Sequence, residues 1–469
     1  MIPHGYVLIT EKELIELHSL RELVNDLRNQ IEELKKQLAK GSHNSHKPPS
    51  SDGYKKKVIK NNREQSDKKQ GAQSGHQGTT LQMTDHPDRI IEKKVKLDEY
   101  CQCGQSLKEG EPLGYHRRQE IELLKKLTET IEYRIEAVRC SCGKVHYGEG
   151  QRLIPIQYGT TIKALAVYLN LYQYLPFERI QEYFKDWLQI SISDGFLQKA
   201  NEQCYNNLEE TERQIKQRLM EQPVIHNDET GIRCQEKLQW IHNTSTGQFT
   251  HYSLQSKRGK EAMDNIDILP NYKGNSVHDR FSSYNDYECE HSNCNAHLCR
   301  DLKYVHEEER KSWAAVMIAI LIDAKEKKQT GQLNEQTLAT ISRNYDKVIN
   351  DNIMEESIPE KPPEKKRGRA RKSPSLLLLE FFQNSKEQVL KFVFDPLVPF
   401  DNNQAERDLR MVKLKQKISG CFRTKKGGEV FCRIRSYIST VRKQQYKVVE
   451  ALWMAIEGNP ISFETVAEQ

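Results

Sequence analysis

Apolar residues follow several different rhythms along the chain. Leu17, Val24, Ile31 and Leu38 recur every seven residues, with Leu20, Leu27 and Leu34 between them. This is an a/d heptad seam, with Glu, Lys and Arg filling much of the remainder, and such a stripe is buried only against another helix. Residues 1–40 therefore predict a short coiled coil that pairs with a second copy of the chain or packs on the protein's own body. Over 41–98 the pattern is lost. Asn44-Ser-His-Lys-Pro-Pro-Ser-Ser-Asp52 and the Gly-rich run from Gly71 to Gly78 hold too few apolar groups to order a core. In 99–147 a stretch from Ile121 to Val138 has the Ile, Leu and Tyr content of strands. Arg152 to Leu219 reads as helical, with Leu165, Leu169, Tyr172, Leu175, Ile180, Phe184, Trp187 and Leu188 as core positions. Pro176 interrupts it, and Ser191-Ile-Ser193-Asp194 supplies a cap for a new helix. The segment 148–222 fits a helix-turn-helix reader of DNA or a plain helical packing domain.

The pattern changes again at 223. Pro223-Val-Ile-His-Asn-Asp228-Glu-Thr230 is a short apolar run ending in carboxylates, a strand that delivers Asp228 at its C-terminal end. Leu238 to His242 and Phe249 to Leu254 predict two further strands, turning at Asn243 to Gly247. Gly274 to Tyr284 presents another short strand ending in Asp279. Three antiparallel strands, a helix and a further strand open an RNase H-like fold, in which strand-end carboxylates converge on a metal site. Lys311 to Lys328 and Ser375 to Lys391 are helix-like, separated by polar material, and mark a helical insertion over about 310–390. In Pro399 to Lys413, Asp401 and Asn402 start a helix by accepting hydrogen bonds from free N–H groups. Glu406, Arg410 and Lys413 then fall at i, i+4 and i+7, so one face carries a carboxylate followed by two cations. Taken alone, that face fits a metal-binding glutamate beside phosphate contacts, or an exposed helix laced with ion pairs. The expected architecture is multidomain α/β, with an RNase H-like core over 223–445 and a tail over 446–469.

Charge sharpens this picture. At 469 residues, with a net charge of +6 and a pI near 8.5, the chain permits a nucleic-acid partner without demanding one. Between Gly41 and Gly78, eight cations, among them Lys55, Lys56 and Lys57, face three carboxylates. This is a solvated linker or a basic arm that follows DNA phosphates. Lys361 to Lys372 is a second basic stretch, an exposed linker or a loop for an A/T-rich minor groove. Past Glu406, Lys413, Lys415, Lys417, Arg423, Lys425 and Lys426 form a dense run. Arg433, Arg435, Arg442 and Lys443 follow on a helix after Gly427-Gly428. Beside a carboxylate metal site these cations read as a DNA groove.

No charged-then-apolar leader opens the chain, and the longest apolar run, Ala314 to Ile322, is too short to span a bilayer. A soluble cytoplasmic protein with no membrane partner is expected. Its eleven cysteines then suit metal ligation or burial better than disulfides. Cys101-Gln-Cys103-Gly104 and Cys140-Ser-Cys142-Gly143 resemble the paired knuckles of a zinc ribbon, with one residue between the thiolates where two are usual. They hold Zn²⁺ or mark a ribbon that has lost it. The group Cys289, His291, Cys294, His297 and Cys299 matches no standard zinc spacing.

Three carboxylates have a physical purpose. Two Mg²⁺ or Mn²⁺ ions about 4 Å apart need anionic oxygen ligands, and together they clamp the attacking and leaving oxygens of a phosphodiester. Asp228 would bridge both ions, with Asp279 on one and Glu406 on the other. The same residues carry a resemblance. Asn44 to Asp52, Gly75-His-Gln-Gly78, the cysteine pairs, Pro155-Ile-Gln-Tyr-Gly159, His226-Asn-Asp-Glu-Thr-Gly231, Trp240, Cys294-Asn-Ala-His297 and Asp401 to Arg410 are similar to those of insertion-sequence 66 family transposases, the large DDE-type subunit. The spacings agree, 51 residues from Asp228 to Asp279 and 127 from Asp279 to Glu406.

The resemblance implies a DNA transposase, nucleoid-associated, that binds terminal inverted repeats, cleaves at the element ends and joins the freed 3′-hydroxyl to target DNA. It also implies a homo-oligomer, accessory proteins from the same element, and DNA contacts at Arg407, Arg410, Lys413 and Lys415. His297 would contact substrate or a ligating carboxylate, or serve as a structural histidine. The alternatives are an inactive transposase-derived DNA-binding regulator and a two-metal nuclease without strand transfer.

Overall fold

The computed structural model describes residues 156–356 and 372–464, together with 18–25, 27–28, 30–31, 35, 83–92, 104, 117–121 and 127–148. The heptad segment is helical where described, and its Leu20, Leu23, Val24, Leu27 and Ile31 face solvent. In the separate unit formed by residues 58–134, Thr84 and Gln119 exchange two hydrogen bonds, of 2.8 and 2.6 Å. Cys101, Cys103, Lys55, Lys56, Lys57 and the basic stretch up to residue 371 lie outside the described residues. Strands β1 (Ala137–Arg139) and β2 (Val145–Tyr147) form an antiparallel hairpin. Its turn exposes Cys140 and Cys142 and places Gly143 at φ +87°. That left-handed conformation favours glycine.

Helices α1 (Thr160–Val167), α2 (Phe177–Leu188), α3 (Asp194–Asn207) and α4 (Glu209–Met220) follow. Ser193 caps α3 as expected, accepting from the Phe196 N–H at 3.2 Å. Ile180, Phe184, Leu188 and Leu197 close a small helical core, while Trp187, on the last turn of α2, is 53% exposed.

The centre is a five-stranded mixed sheet of β3 (Val224–Cys234), β4 (Lys237–Ser245), β5 (Thr250–Gln255), β6 (Asn275–His278) and β7 (Glu290–Asn293). The order is β5-β4-β3-β6-β7. The first three strands run antiparallel, and β6 and β7 run parallel to β3. Helix α5 (Lys260–Ile266) lies between β5 and β6 in sequence. Where the chain enters β6, a Cβ on Gly274 would stand 2.7 Å from the Pro223 carbonyl oxygen. Glycine is what lets the Asn275 N–H reach that same oxygen at 2.9 Å.

One expectation is corrected here. Asp228 does not end its strand, because β3 continues to Cys234, paired along its length with β4. What ends near Asp228 is the parallel ladder, since β6 pairs only with Val224 to His226.

After β7 come α6 (Asn295–Glu308), α7 (Ser312–Gln329), α8 (Glu335–Glu356), α9 (Pro374–Asn384) and α10 (Lys386–Phe394). Helix α8 occupies ground that reads as polar in the sequence; it buries Ile341, Tyr345, Val348 and Ile349 on one face. The helix expected over 375–391 is two helices, broken at Ser385. The chain returns through α11 (Asn403–Ser419), α12 (Lys425–Lys443) and α13 (Val448–Glu457). Residues 446–469, expected as a tail, thus carry a helix. Asn207 and Gln203 of α3 donate to its Ala455 and Ile456 carbonyls, each at 2.8 Å.

Two large cores flank the sheet. Ile225, Ile232, Ile241, Tyr252 and Leu254 pack with α3, α4, α11, α12 and α13. Val277 of β6 packs instead with Leu298, Leu302, Met317, Tyr345, Phe382 and Phe400, the core of α6 to α10. No helix among the described residues is long and apolar enough to cross a membrane.

Candidate active site

Parallel pairing brings the first two carboxylates together. His226 lies opposite Val277, and Asp228 and Asp279 each stand two residues further along neighbouring chains. Asp228 Oδ1 accepts from the Glu229 N–H at 2.8 Å, and Asp279 Oδ1 accepts from the Phe281 N–H at 2.9 Å. Each carboxylate is fixed by its own backbone.

The third arrives on α11, and Asn402 sets its position. That side chain does not cap the helix, contrary to expectation; Asp401 instead accepts from the Asn403 N–H at 3.1 Å. Asn402 is 2% exposed and reaches across to β3. Its Nδ2 donates to the Asn227 carbonyl at 2.7 Å, and its Oδ1 meets His226 Nδ1 at 2.9 Å. Its own N–H points to Cys294 Sγ at 3.2 Å. The start of α11 is thereby tied to the residue before Asp228 and to the start of α6. Glu406 follows one turn later. Its Oε1 is buried without a hydrogen-bond partner among the described residues, and His297 Nε2 stands 3.6 Å away.

The electrostatics report the proximity. Burial pushes the Asp228 carboxyl well above its ordinary range, and the charges of Glu229, Asp279 and Glu406 push it further. An oxygen-rich anionic cluster with one orphaned buried carboxylate oxygen fits a divalent cation such as Mg²⁺. Cys294, His297 and Glu406 also place one donor atom each within 4.8 Å of one another, a softer set that shares Glu406.

The raised Asp228 value has a stability consequence. The metal-free folded state holds that proton more tightly than the unfolded chain, whose value is ordinary, near 3.8. Stability is therefore lost as pH rises from about 4 towards neutral. Asp228→Asn removes that loss. In EDTA the variant melts above the wild type at neutral pH, and the two converge below about pH 4. Calorimetry across that range checks it.

The cations expected to form a DNA groove divide into two groups. Lys413, between β3 and solvent, donates to the Gly231 carbonyl at 3.0 Å. Burial lowers its pKa while Asp228 opposes that shift. Arg407 and Arg410 are exposed on α11, and Lys415 is half-buried. Three others are internal. Arg433 pairs with Glu212 at 2.6 Å under Tyr205, and Lys443 pairs with Asp408 at 2.7 Å. Arg435 is buried beside Tyr172 and Tyr174. They hold α12 in the core, so a run of cations in sequence is not one surface in space.

The Cys/His group also divides. His291 meets His278 at 3.0 Å and the Tyr287 carbonyl at 3.0 Å, a structural arrangement away from Glu406. Cys294 and His297 stand beside Glu406 instead.

Sequence reasoning missed a further network. Glu229, whose side chain is 0% exposed, accepts from Arg258 Nε at 2.6 Å and from the Tyr284 hydroxyl at 2.5 Å. Arg258 Nη2 is 3.9 Å from Asp279 Oδ2. Glu229 stands beside Asp228 in the Asp-Glu-Thr run, which hints at it. Arg258 lies 29 residues away in a loop, where no periodicity points to it.

The Transposase IS66 family matches residues 155–430, which include all three carboxylates. A family of unknown function (DUF6444) matches residues 8–82. No curated protein matches the chain. With the first match spanning more than half of its residues, the chain belongs to the IS66 family of transposases.

Proposed function

We propose that this transposase binds the terminal inverted repeats of its element, cleaves the phosphodiester at each end and transfers the freed strand to target DNA. The observation that carries the proposal is the placement of Asp228 on β3, Asp279 one residue past the parallel neighbour β6, and Glu406 on α11, whose start Asn402 ties to β3. The strand order β5-β4-β3-β6-β7 supports an RNase H-like reading of this core.

Asp228, Asp279 and Glu406 would hold two Mg²⁺ or Mn²⁺ ions. Bound there, such ions supply charge stabilisation for the attacking and leaving oxygens of a phosphodiester. The protein's own part is positional. Backbone N–H groups orient the two aspartates, Asn402 sets the start of α11, and His297 stands against Glu406. Arg407, Arg410, Lys413 and Lys415 line α11 beyond Glu406 and take the DNA backbone. In cleavage a water oxygen bonds to phosphorus, the bond to the 3′-oxygen breaks, and that oxygen leaves as a hydroxyl. In transfer the same hydroxyl attacks a target phosphodiester and expels the target's 3′-oxygen.

The exposed leucine face within residues 18–31 supports pairing of two copies, which would hold two ends together. Cys140 and Cys142 on the exposed β1–β2 turn suit one knuckle of a zinc ribbon. Accessory proteins of the element complete the proposed assembly.

The deciding experiment combines the purified full chain, a plasmid carrying the DNA that flanks its gene, and Mg²⁺ or Mn²⁺. Nicks at the element ends, absent with Asp228→Asn, are the expected result. A gel shift on those ends with no nicking by the wild type in either ion would leave two readings, a missing accessory protein or a DNA-binding regulator. Cleavage without dependence on the end sequence would replace it with a nuclease.

A further inference from the structure

Arg258 stands in the loop between β5 and α5, and three kinds of contact fix its guanidinium. Its Nε donates to Glu229 Oε1 at 2.6 Å, and Glu229 is fully enclosed, its other oxygen taken by Tyr284 at 2.5 Å. With both oxygens engaged, Glu229 is a fixture for Arg258 and not a further metal ligand. Two aromatic rings also lie close to the guanidinium. Its central carbon lies 4.1 Å from the Phe281 ring centre and 5.2 Å from that of Trp240. The side chain nevertheless remains 39% exposed. Its Nη2 is 3.9 Å from Asp279 Oδ2, too far for a hydrogen bond.

This arrangement is costly for a residue that only balances charge. An arginine clamped at Nε and on its rings loses the freedom that usually opposes binding, and its Nη donors keep the planar fork that matches phosphate. The neighbourhood explains the need. Asp228, Glu229, Asp279 and Glu406 gather carboxyl groups where an anionic DNA backbone would approach. Lys413 answers on the α11 side, with its Nζ on the Gly231 carbonyl. Arg258 answers on the Asp279 side.

We propose that Arg258, anchored by Glu229 and Tyr284 and boxed by Phe281 and Trp240, is a phosphate-binding residue. It receives a non-bridging oxygen of the DNA backbone phosphate that lies against Asp279. The inference rests on the reading of Asp228, Asp279 and Glu406 as the cleavage centre. It adds a binding subsite to that centre.

The test is a cycle between protein and substrate. Wild type, Arg258→Ala, Arg258→Lys and Glu229→Gln are compared on an end-containing duplex. In matched duplexes one phosphodiester, at the cut or at either neighbour, is replaced by neutral methylphosphonate. Arg258→Ala slows cleavage roughly 10- to 100-fold, the loss expected for one charge-assisted hydrogen bond. The half-saturating Mg²⁺ concentration stays unchanged. Arg258→Lys restores part of the rate, and Glu229→Gln falls between. Methylphosphonate at the contacted position slows the wild type by a similar factor and leaves Arg258→Ala no slower.

Losses that multiply at all three positions would overturn the proposal. So would a rise in half-saturating Mg²⁺ that accounts for the whole defect, because Arg258 would then only steady Asp279. The same cycle read as binding affinity in Ca²⁺ needs no cleavage. A wild type inert on every duplex would therefore count against cleavage by the chain alone, while the affinity cycle still judges Arg258.

Discussion

Glu406→Gln should lower metal-dependent cleavage of end-containing DNA by at least about a hundredfold, the equivalent of several kcal/mol of transition-state charge stabilisation. Affinity for the ends should stay within about twofold, since the charge removed is negative and repels DNA. Both effects follow from how the residue is placed. Its Oε1 is buried yet accepts no hydrogen bond among the described residues, which costs stability unless a ligand repays it. Gln keeps the shape and removes the charge. The metal-free fold should change little, because relief of repulsion among four carboxylates is set against loss of the contact with His297 at 3.6 Å. Single-turnover cleavage, gel shift and melting temperature together check this. Unchanged cleavage would remove Glu406 from the centre, and a collapsed melting temperature would mark it as structural.

Asn402→Ala should cost about 2–4 kcal/mol of stability, the largest loss expected from one side chain near the site. Two buried hydrogen bonds disappear and the Asn227 carbonyl loses the donor at 2.7 Å, each orphaned group costing about 1–3 kcal/mol. Cleavage should fall too, because Asn402 holds the start of α11 against β3 and Glu406 sits one turn on. Asn402→Asp separates the two effects. It keeps an acceptor for His226 but sets a carboxylate against the Asn227 carbonyl. It should be destabilised at neutral pH and recover in part as the pH falls and the carboxylate protonates. Urea unfolding midpoints for the three proteins give the answer, and midpoints equal to wild type would refute the role assigned to Asn402.

The elements that carry Asp228, Asp279 and Glu406 were legible because each residue follows a short apolar run or sits in the first turn of a helix, and those patterns are local. The register was less so. A strand's apolar run shows where burial stops, and β3 goes on past its run because it pairs with β4 as far as Cys234. Helix α8 was written in Ile341, Tyr345, Val348 and Ile349 but masked by a surface dense in charge. Arg433, Arg435 and Lys443 looked like their neighbours in sequence, and only packing distinguishes an inward cation from an outward one. Arg258 and Glu229 were beyond reach for a plainer reason. Their contact joins a strand to a loop, and no spacing rule links the two.

Val277 stands in β6 two residues before Asp279, and its side chain belongs to the core of α6 to α10. The insertion between the second and third carboxylates is therefore masonry that the sheet leans on, not a cassette hung from its edge. Trimming it to a minimal enzyme would strip Val277 of its cover and unseat the strand that presents Asp279. By the same contact, whatever grips those helices from outside holds a lever on β6. Volume changes at Leu302, Tyr345 or Phe382 should therefore be felt at β6, since all three share a core with Val277.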